Sequence, residues 1–476
     1  SPGVLYPAVY DLAERVMAAA KAARTFDASE QTGGRCSLTG ETEWLTTDRE
    51  LLDIPAGGRR SRKDKRGFKE NEHVETLWTK VADQKPSWAK KGEHLGALPA
   101  IKRLWPTIFA EEVGKALNLK NDGTAKPIGR FVVSTHTMAL AHQLEQWLKA
   151  GGQPDERFTE ECKTLKIDTV ALPRKLTRHY GKQNPAGLDA AKRIPGLLET
   201  ARDSDDEAAY EDAKRLVRRT LSPAPTPEGR GASGVKLETY YALLMMDGDK
   251  MGAILSGDDK TAISYRASFH PQVQDGFDKH AASQPLIKQY GAQKRPISPN
   301  RHLAISGALN DFSQTVVRHV VEEEHLGRVI YAGGDDVLAM LPVADLLSAM
   351  QRLRHAYSGI DPEHTGGMFD GLTLQNGFAA LKQGKRLQLM RMMGHTATAS
   401  TGAVVAHHQA PLGAVLRELR AAEKRAKTEG GRDAFSITVI KRSGGALKLT
   451  EKWGEPVKLL NDMVAFLRDE ADVPPV

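Results

Sequence analysis

The sequence predicts an α+β protein, a ferredoxin-like βαββαβ domain preceded by a mainly helical N-terminal region. Three observations carry that prediction. From Tyr240 onward, β-prone apolar runs and amphipathic helical runs alternate in the βαββαβ order. Arg328 to Leu341, RVIYAGGDDVLAML, reads as a hairpin with two acids at its tip. Between Trp88 and Thr220, helical spacing prevails over strand alternation.

The chain has 476 residues, room for roughly two to four domains, and no apolar stretch near the length of a membrane span. Lys and Arg number 67 against 60 Asp and Glu, a net charge of +7. That excess is small for the size and argues only weakly for a polyanionic partner. Two cysteines, Cys36 and Cys162, cannot build a disulfide framework, so a reducing, cytoplasmic setting is expected. The chain begins at Ser1 and not at Met, which reads as a segment of a longer protein.

In order, an amphipathic helix is expected over about Ala8 to Thr25. The turn-rich GGRCSLTGE at Gly33 to Glu41 places Cys36 where a CxxC pair would begin, with Thr39 in the second place. With only Cys162, His73 and His94 as further ligands, the set falls short of a structural zinc site, and no zinc is expected. The basic run RRSRKDKR, Arg59 to Arg66, reads as a solvated loop, with RNA contact as the alternative. Helices are expected at Thr137 to Lys149 and Glu207 to Arg219. The Pro-, Gly- and Ser-rich Leu221 to Gly234 marks the main boundary. The expected domains are therefore 1–110, with the first helix, degenerate knuckle and basic loop; 111–221, helical; a linker at 222–234; 235–445, carrying the hairpin; and 446–476, the start of a further helical region.

Beyond the linker, Tyr240 to Met246 is a strand ending in DGDKMG, and Ala253 to Pro299 is poorly patterned. A helix over His302 to Glu324, with Asn300 as its N-cap, leads into the hairpin. Helix Asp345 to His355, strand Thr398 to Ala406, helix Leu412 to Lys427 stopped by Gly430-Gly431, and closing strand Phe435 to Ile440 follow. In a split βαβ sheet the first strand lies beside the hairpin, bringing Asp247 to Asp335 across about ninety residues of sequence. Adjacent acids held on a rigid turn suit a hard divalent cation, Mg2+ or Mn2+, and two such ions about 4 Å apart serve nucleotidyl transfer. A palm-type site is thus expected, with Asp247, Asp335 and Asp336 as metal ligands and catalytic acids. The alternative is a solvated Gly-Asp turn.

Gly248, Gly252, Gly333 and Gly334 would let backbone approach phosphate. Asp249 either ligates metal or caps its loop, and Lys250 reads as solvated. Arg420, Lys424 and Lys427 share a helical stripe, with Arg432 just after the turn. Lys427 is the best candidate for a terminal phosphate.

DGDKMG at Asp247, HLAISGALNDF at His302, GRVIYAGGDDVLAMLP at Gly327, TASTGAVVAHHQAPL at Thr398 and GRDAFSITVIKRSG at Gly431 resemble, in order and spacing, one known family. It is the large subunit of type III-B CRISPR effector complexes, the Cmr branch of the Cas-ten family, in its second palm. KRLWP at Lys102, STHTMA at Ser134 and the Cys36 knuckle resemble its upstream regions. The resemblance implies a nucleotide-cyclase-like palm that makes cyclic oligoadenylate from ATP with two metal ions when the complex, with its other subunits and guide RNA, binds target RNA. It also implies metal ligation by Asp247 and Asp335, with Asp336 as the second acid of the signature turn, and phosphate contact from the AEKRAK stretch that holds Lys424 and Lys427. From the residues themselves, nucleotide contacts are expected of Gly248, Asp249, Gly252, Gly333, Gly334 and Arg432. The family's N-terminal His-Asp nuclease and first palm have no counterpart ahead of Cys36, so DNA cleavage is not expected. A dinucleotide cyclase and a catalytically inactive scaffold are the alternatives.

Overall fold

The computed structural model describes residues 2–25, 34–46, 76–85, 88–116, 132–204, 206–222, 235–258, 262–362 and 371–468. Arg59 to Arg66, His73 and most of the expected linker lie outside them. Contacts divide the chain into two compact units, Ala19–Val132 and Ser1–Ala18 with Val133–Val476.

The N-terminal helix is α1 (Pro2–Ala22), longer at its start than the sequence suggests. In the smaller unit, α2 (Leu77–Gln84) and α3 (Ala97–Ala116) accompany a core of Trp44, Trp78, Ala89, Leu95 and Ala100. Cys36 is buried there. Burial raises its pKa, but backbone N–H groups of Gly96, Leu38 and Thr39 pointing at the sulfur outweigh that and lower it. The knuckle thus keeps its turn around a single thiol.

In the larger unit five helices come first: α4 (Thr135–Lys149), α5 (Glu156–Thr164), α6 (Arg174–Gln183), α7 (Pro185–Asp203) and α8 (Glu207–Leu221). Side-chain oxygens of Ser134, Asp155 and Asp206 cap α4, α5 and α8. Strand β1 (Tyr240–Gly248) follows, then α9 (Met251–Ser256), α10 (Pro271–Ser283) and α11 (Pro285–Ala292). These three helices occupy the stretch the sequence left unpatterned. The reason is visible in their burial, because Gly291 is their one buried residue, so no apolar face marks them.

The helix expected over His302 to Glu324 is interrupted. It starts as α12 (Pro299–Asp311), passes through a π-helical turn at Phe312–Val316 and α13 (Val317–His319), and ends in a second π turn at Val320–Glu324. Ser298, not Asn300, is its N-cap, accepting from the Arg301 N–H. A Pro at the first helical position explains the shift, since helix geometry begins there and Asn300 already lies inside. Next come β2 (Arg328–Gly333), β3 (Asp336–Pro342), α14 (Leu346–Ser358), β4 (Gly371–Gln375), β5 (Phe378–Gln383), β6 (Arg386–Arg391) and β7 (Ala399–His407). The chain closes with α15 (Leu412–Thr428), β8 (Ala434–Ile440), β9 (Ala446–Lys452) and α16 (Glu455–Arg468).

The main sheet has the order β2-β3-β1-β7-β8-β9, and β4-β5-β6 form a separate sheet. Its first four positions are the ferredoxin-like order, with β1 antiparallel to both β3 and β7. β9 extends it past the strand expected to close it. Period-two alternation sorts β1 between two cores. Tyr241 and Leu243 face the helices of residues 135–221 and α15; Ala242, Leu244 and Met246 face the α12–α13 segment and α14. The helical region therefore shares its core with the sheet. No described helix is long and apolar enough to cross a membrane.

Candidate metal and nucleotide site

The hairpin tip is a two-residue turn. Gly333 pairs with Asp336, leaving Gly334 and Asp335 between them. Gly334 has φ +65°, the positive value such a turn demands of its first central residue, while open space surrounds the position of its absent Cβ. Gly333 is glycine for another reason: a Cβ there would lie 2.5 Å from the Tyr331 hydroxyl. Next door, β1 runs antiparallel to β3 up to the Met246–Val337 pair, so Asp247 emerges beside the acids of the tip.

Oxygens of Asp247, Asp335 and Asp336 lie within 4.8 Å of one another, the one group of acids, histidines or cysteines among the described residues able to hold a metal ion. Burial, and then the charge of Asp336, raises the pKa of Asp335, against hydrogen bonds from backbone N–H groups that lower it. Burial raises Asp336 as well. Hard oxygen donors crowded until they resist ionisation fit a divalent cation, whose charge removes their repulsion.

Gly248 sits under this cluster. A Cβ on it would meet the Tyr357 hydroxyl and come within 2.7 Å of Asp335 Oδ2. Tyr357 is fully buried and its hydroxyl donates to Met251 Sδ at 3.3 Å. Burial, then the charges of Asp335 and Asp249, push its phenol above the usual range. Nothing in the local sequence marks Tyr357, because only the fold brings α14 to the end of β1.

The neighbouring side chains divide the expected phosphate contacts. Lys427 pairs with Asp247 and, at 2.6 Å, with Glu423 one turn back. Burial and the charge of Arg432 lower its pKa. Glu423, which the sequence reading passed over, is raised by burial and then by Asp336 and Asp249. The i, i+4 spacing of Glu423 and Lys427 was the available signal. Lys424 and Arg420 are exposed on the same helix, and among the described residues neither pairs with the cluster.

Asp249 stands outside the acid cluster. It is 3% exposed, and its carboxylate accepts from Ser400 Oγ at 2.7 Å, Thr398 Oγ1 at 2.8 Å and the Asp433 N–H at 2.9 Å. Those bonds tie the end of β1 to the starts of β7 and β8, so Asp249 acts as the loop's clamp. Arg354 holds Asp433 from the other side at 2.7 Å. Gly252 is the second residue of α9, with open space at its Cβ position.

Beside the clamp opens a cavity of about 590 Å3 whose walls include Lys250, Arg295, Arg301, Arg391, Arg432 and Lys452. Its acids are committed elsewhere, Asp249 to the clamp and Asp433 to Arg354. Burial and the charge of Arg295 lower the pKa of Arg301, as expected where cations face one another without an anion. Lys250, Arg432 and Asp433 all have positive φ, at 58°, 63° and 43°. Such backbone strain in non-glycine residues gathers at binding sites, and here it borders one cavity. Lys250 is exposed, as expected of a solvated side chain, and it also lines this wall.

Residues 240–436 match the family described as Cas10/Cmr2, second palm domain. The Cmr2 subunit of the CRISPR Cmr system of Pyrococcus furiosus is 35% identical over 206 residues, 43% of this chain and 19% of that protein. Its counterpart in Saccharolobus solfataricus is 35% identical over 122 residues, 26% of this chain and 11% of that one. The chain thus spans under a fifth of the length of these relatives. The type III-B Cmr-beta structure in its apo state has a chain of the same fold, with a TM-score of 0.57 at 15% identity, covering 97% of this chain and 52% of that one. The Cmr-beta structure bound to cognate target RNA gives 0.56 at 16%. With the motif series, the sheet order and the three acids in one place, residues 240–436 form a palm domain similar to the second palm of the Cas10/Cmr2 family.

Proposed function

We propose that this chain is the nucleotidyl-transfer subunit of an RNA-guided type III CRISPR effector, and that it makes cyclic oligoadenylate from ATP when the complex binds target RNA. The observation that carries the reading is the convergence of Asp247, Asp335 and Asp336, together with a cavity walled by cations that opens at Asp249, two residues on from the first of them. The cavity's volume falls within the about 300–1,000 Å3 usual for small-molecule pockets, and its surplus positive charge suits a nucleotide's phosphates.

In the reaction, a ribose hydroxyl oxygen of one ATP bonds to the α-phosphorus of another. The bond from that phosphorus to the oxygen bridging the β-phosphate breaks, pyrophosphate leaves and the hydroxyl proton passes to solvent. Asp247, Asp335 and Asp336 would hold one or two Mg2+ or Mn2+ ions, which when bound lower the pKa of the attacking hydroxyl and neutralise leaving-group charge. Lys427 supplies a point charge to the terminal phosphate, with Glu423 fixing its position. Arg432 faces the same phosphates from the strained turn that Asp249 clamps. Tyr357 and Gly248 keep the floor beneath Asp335 closed. The proposed partners are the other subunits of the complex, guide RNA and target RNA, in the cytoplasm. The solved Cmr-beta assembly with target RNA, which has a chain of the same fold, supports the choice of partners.

The test is the chain purified with its partners, incubated with ATP and Mg2+ or Mn2+, and its products read by mass spectrometry. Asp335→Ala combined with Asp336→Ala should abolish oligoadenylate and leave assembly intact. Synthesis that survives the double substitution refutes the assignment.

A further inference from the structure

Tyr331 is placed as a reacting site would place an aromatic ring. In the β2–β3 ladder, Val329 pairs with Ala339 and Tyr331 with Leu338, so Ile330 is an extra residue in the edge strand. A bulge of this kind bends the strand and re-aims the side chain that follows it. Here it sends the Tyr331 ring along the strand to the tip, over Gly333, where a Cβ would stand 2.9 Å from Cζ and 2.5 Å from the hydroxyl. Gly333 itself pairs with Asp336. The ring therefore lies alongside the backbone that carries the metal-binding acids, and it remains 55% exposed. Among the described residues no other ring stacks on it.

An exposed tyrosine on an edge strand is common, since β-strands favour aromatics and protein surfaces keep much apolar area. The sheet order sets this one apart. Among the cavity's walls that belong to the main sheet, the residues leading into β7 and β8 and Lys452 of β9 lie on one side of β1. Tyr331 is on β2, at the opposite edge. Asp247, Asp335 and Asp336, at the ends of β1 and β3, stand between the two. Joining two nucleotides requires two nucleosides to meet at those acids, and on the functional reading above the cavity would take one of them.

We propose that Tyr331 is the stacking platform for the purine base of the second nucleotide, which presents its ribose to the acids from the side opposite the cavity. This rests on the nucleotidyl-transfer reading above. Base stacking on a protein aromatic is worth roughly fivefold or more in affinity, and it needs the ring's face and not its hydroxyl.

The experiment is calorimetric titration of the full chain with ATP in Mg2+, for the wild type and for Tyr331→Ala, Tyr331→Phe and Tyr331→Trp. Two ATP sites are expected in the wild type, the Phe variant and the Trp variant, with one of the two weakened at least about fivefold in the Ala variant. A single site in the wild type overturns the proposal, as do two unweakened sites in Tyr331→Ala. Loss of both sites in Tyr331→Ala also overturns it, because the ring would then merely support the hairpin. Pyrophosphate release is measured separately. Two sites without release would sink the transfer reading and leave the platform standing.

Discussion

Asp249 shows what a single residue can and cannot reveal from sequence. The acids of the GGDD tip were legible because two adjacent carboxylates on a glycine turn have few structural reasons to exist. Asp249 sits two residues after Asp247 with the same chemistry, yet its partners Thr398, Ser400 and Asp433 lie more than 140 residues away in sequence. No local pattern distinguishes a metal ligand from a buried clamp under those conditions. The difference is measurable. Asp249→Ala leaves two hydroxyls and one backbone N–H without their acceptor, and hydrogen bonds to a charged group are worth about 1.5–3 kcal/mol each. Thermal unfolding should show a loss of about 3 kcal/mol or more, and ATP affinity should fall with it as the Arg432–Asp433 turn loosens. Asp249→Asn, which keeps one acceptor oxygen, should fall between the two. An Asp249→Ala protein of wild-type stability that fails only in metal binding would make Asp249 a ligand after all.

At the scale of elements, strands and helices that bury a face were readable and those that do not were missed. The β1, β2–β3, β7 and β8 strands and the α14 and α15 helices all announce themselves by apolar period. The α10 and α11 helices have almost nothing buried, so their pattern was silent. The β4–β5 hairpin is different, because Asn376-Gly377, both at positive φ, is a strong turn signal between apolar runs that went unread. The junction of α4 with the end of β7 had no sequence signature at all. There the His136 and His408 rings stack at 4.2 Å, and His407 lies 4.7 Å from His408. Burial, then the charges of His136, His407, Arg202 and Arg442, drop the His408 pKa from 6.5 to about 3. Glu199, 3.4 Å from His136, is the acid on that side. Since the folded pKa is the depressed one, the unfolded chain takes up a proton below pH 6.5 that the folded chain refuses until about pH 3. Stability present above that range is lost progressively as pH falls through it. The melting temperature should therefore drop less steeply between about pH 7 and about pH 4.5 in His408→Gln than in the wild type. Parallel curves would show that the stack carries no such linkage.

The whole molecule departs most from a reading by composition. Leu221 to Gly234 has every mark of a linker, which is why the helices before it were expected to form their own domain. Side-chain burial joins them instead. Met138, Leu140, Leu144, Leu176 and Leu197 share one core with Tyr241 and Leu243 of β1, Met340 of β3, and Val415 and Leu419 of α15. A loop's composition reports how freely the chain passes between elements, and it is silent on whether those elements then pack together. The consequence is mechanical as well as architectural: the sheet that carries Asp247 and the hairpin has helices on one face drawn from both ends of the larger unit, so the site's rigidity depends on residues far outside the palm motifs. Leu140, wholly buried in α4, tests this. Leu140→Ala should cost about 2–5 kcal/mol. Because the core is continuous, that cost should shift the urea unfolding of helices and sheet together. Hydrogen exchange of α4 amides and of β1 amides should then move to the same lower midpoint. If only the α4 signal moves while β1 protection holds, the helical region unfolds by itself and the shared core is not a cooperative one.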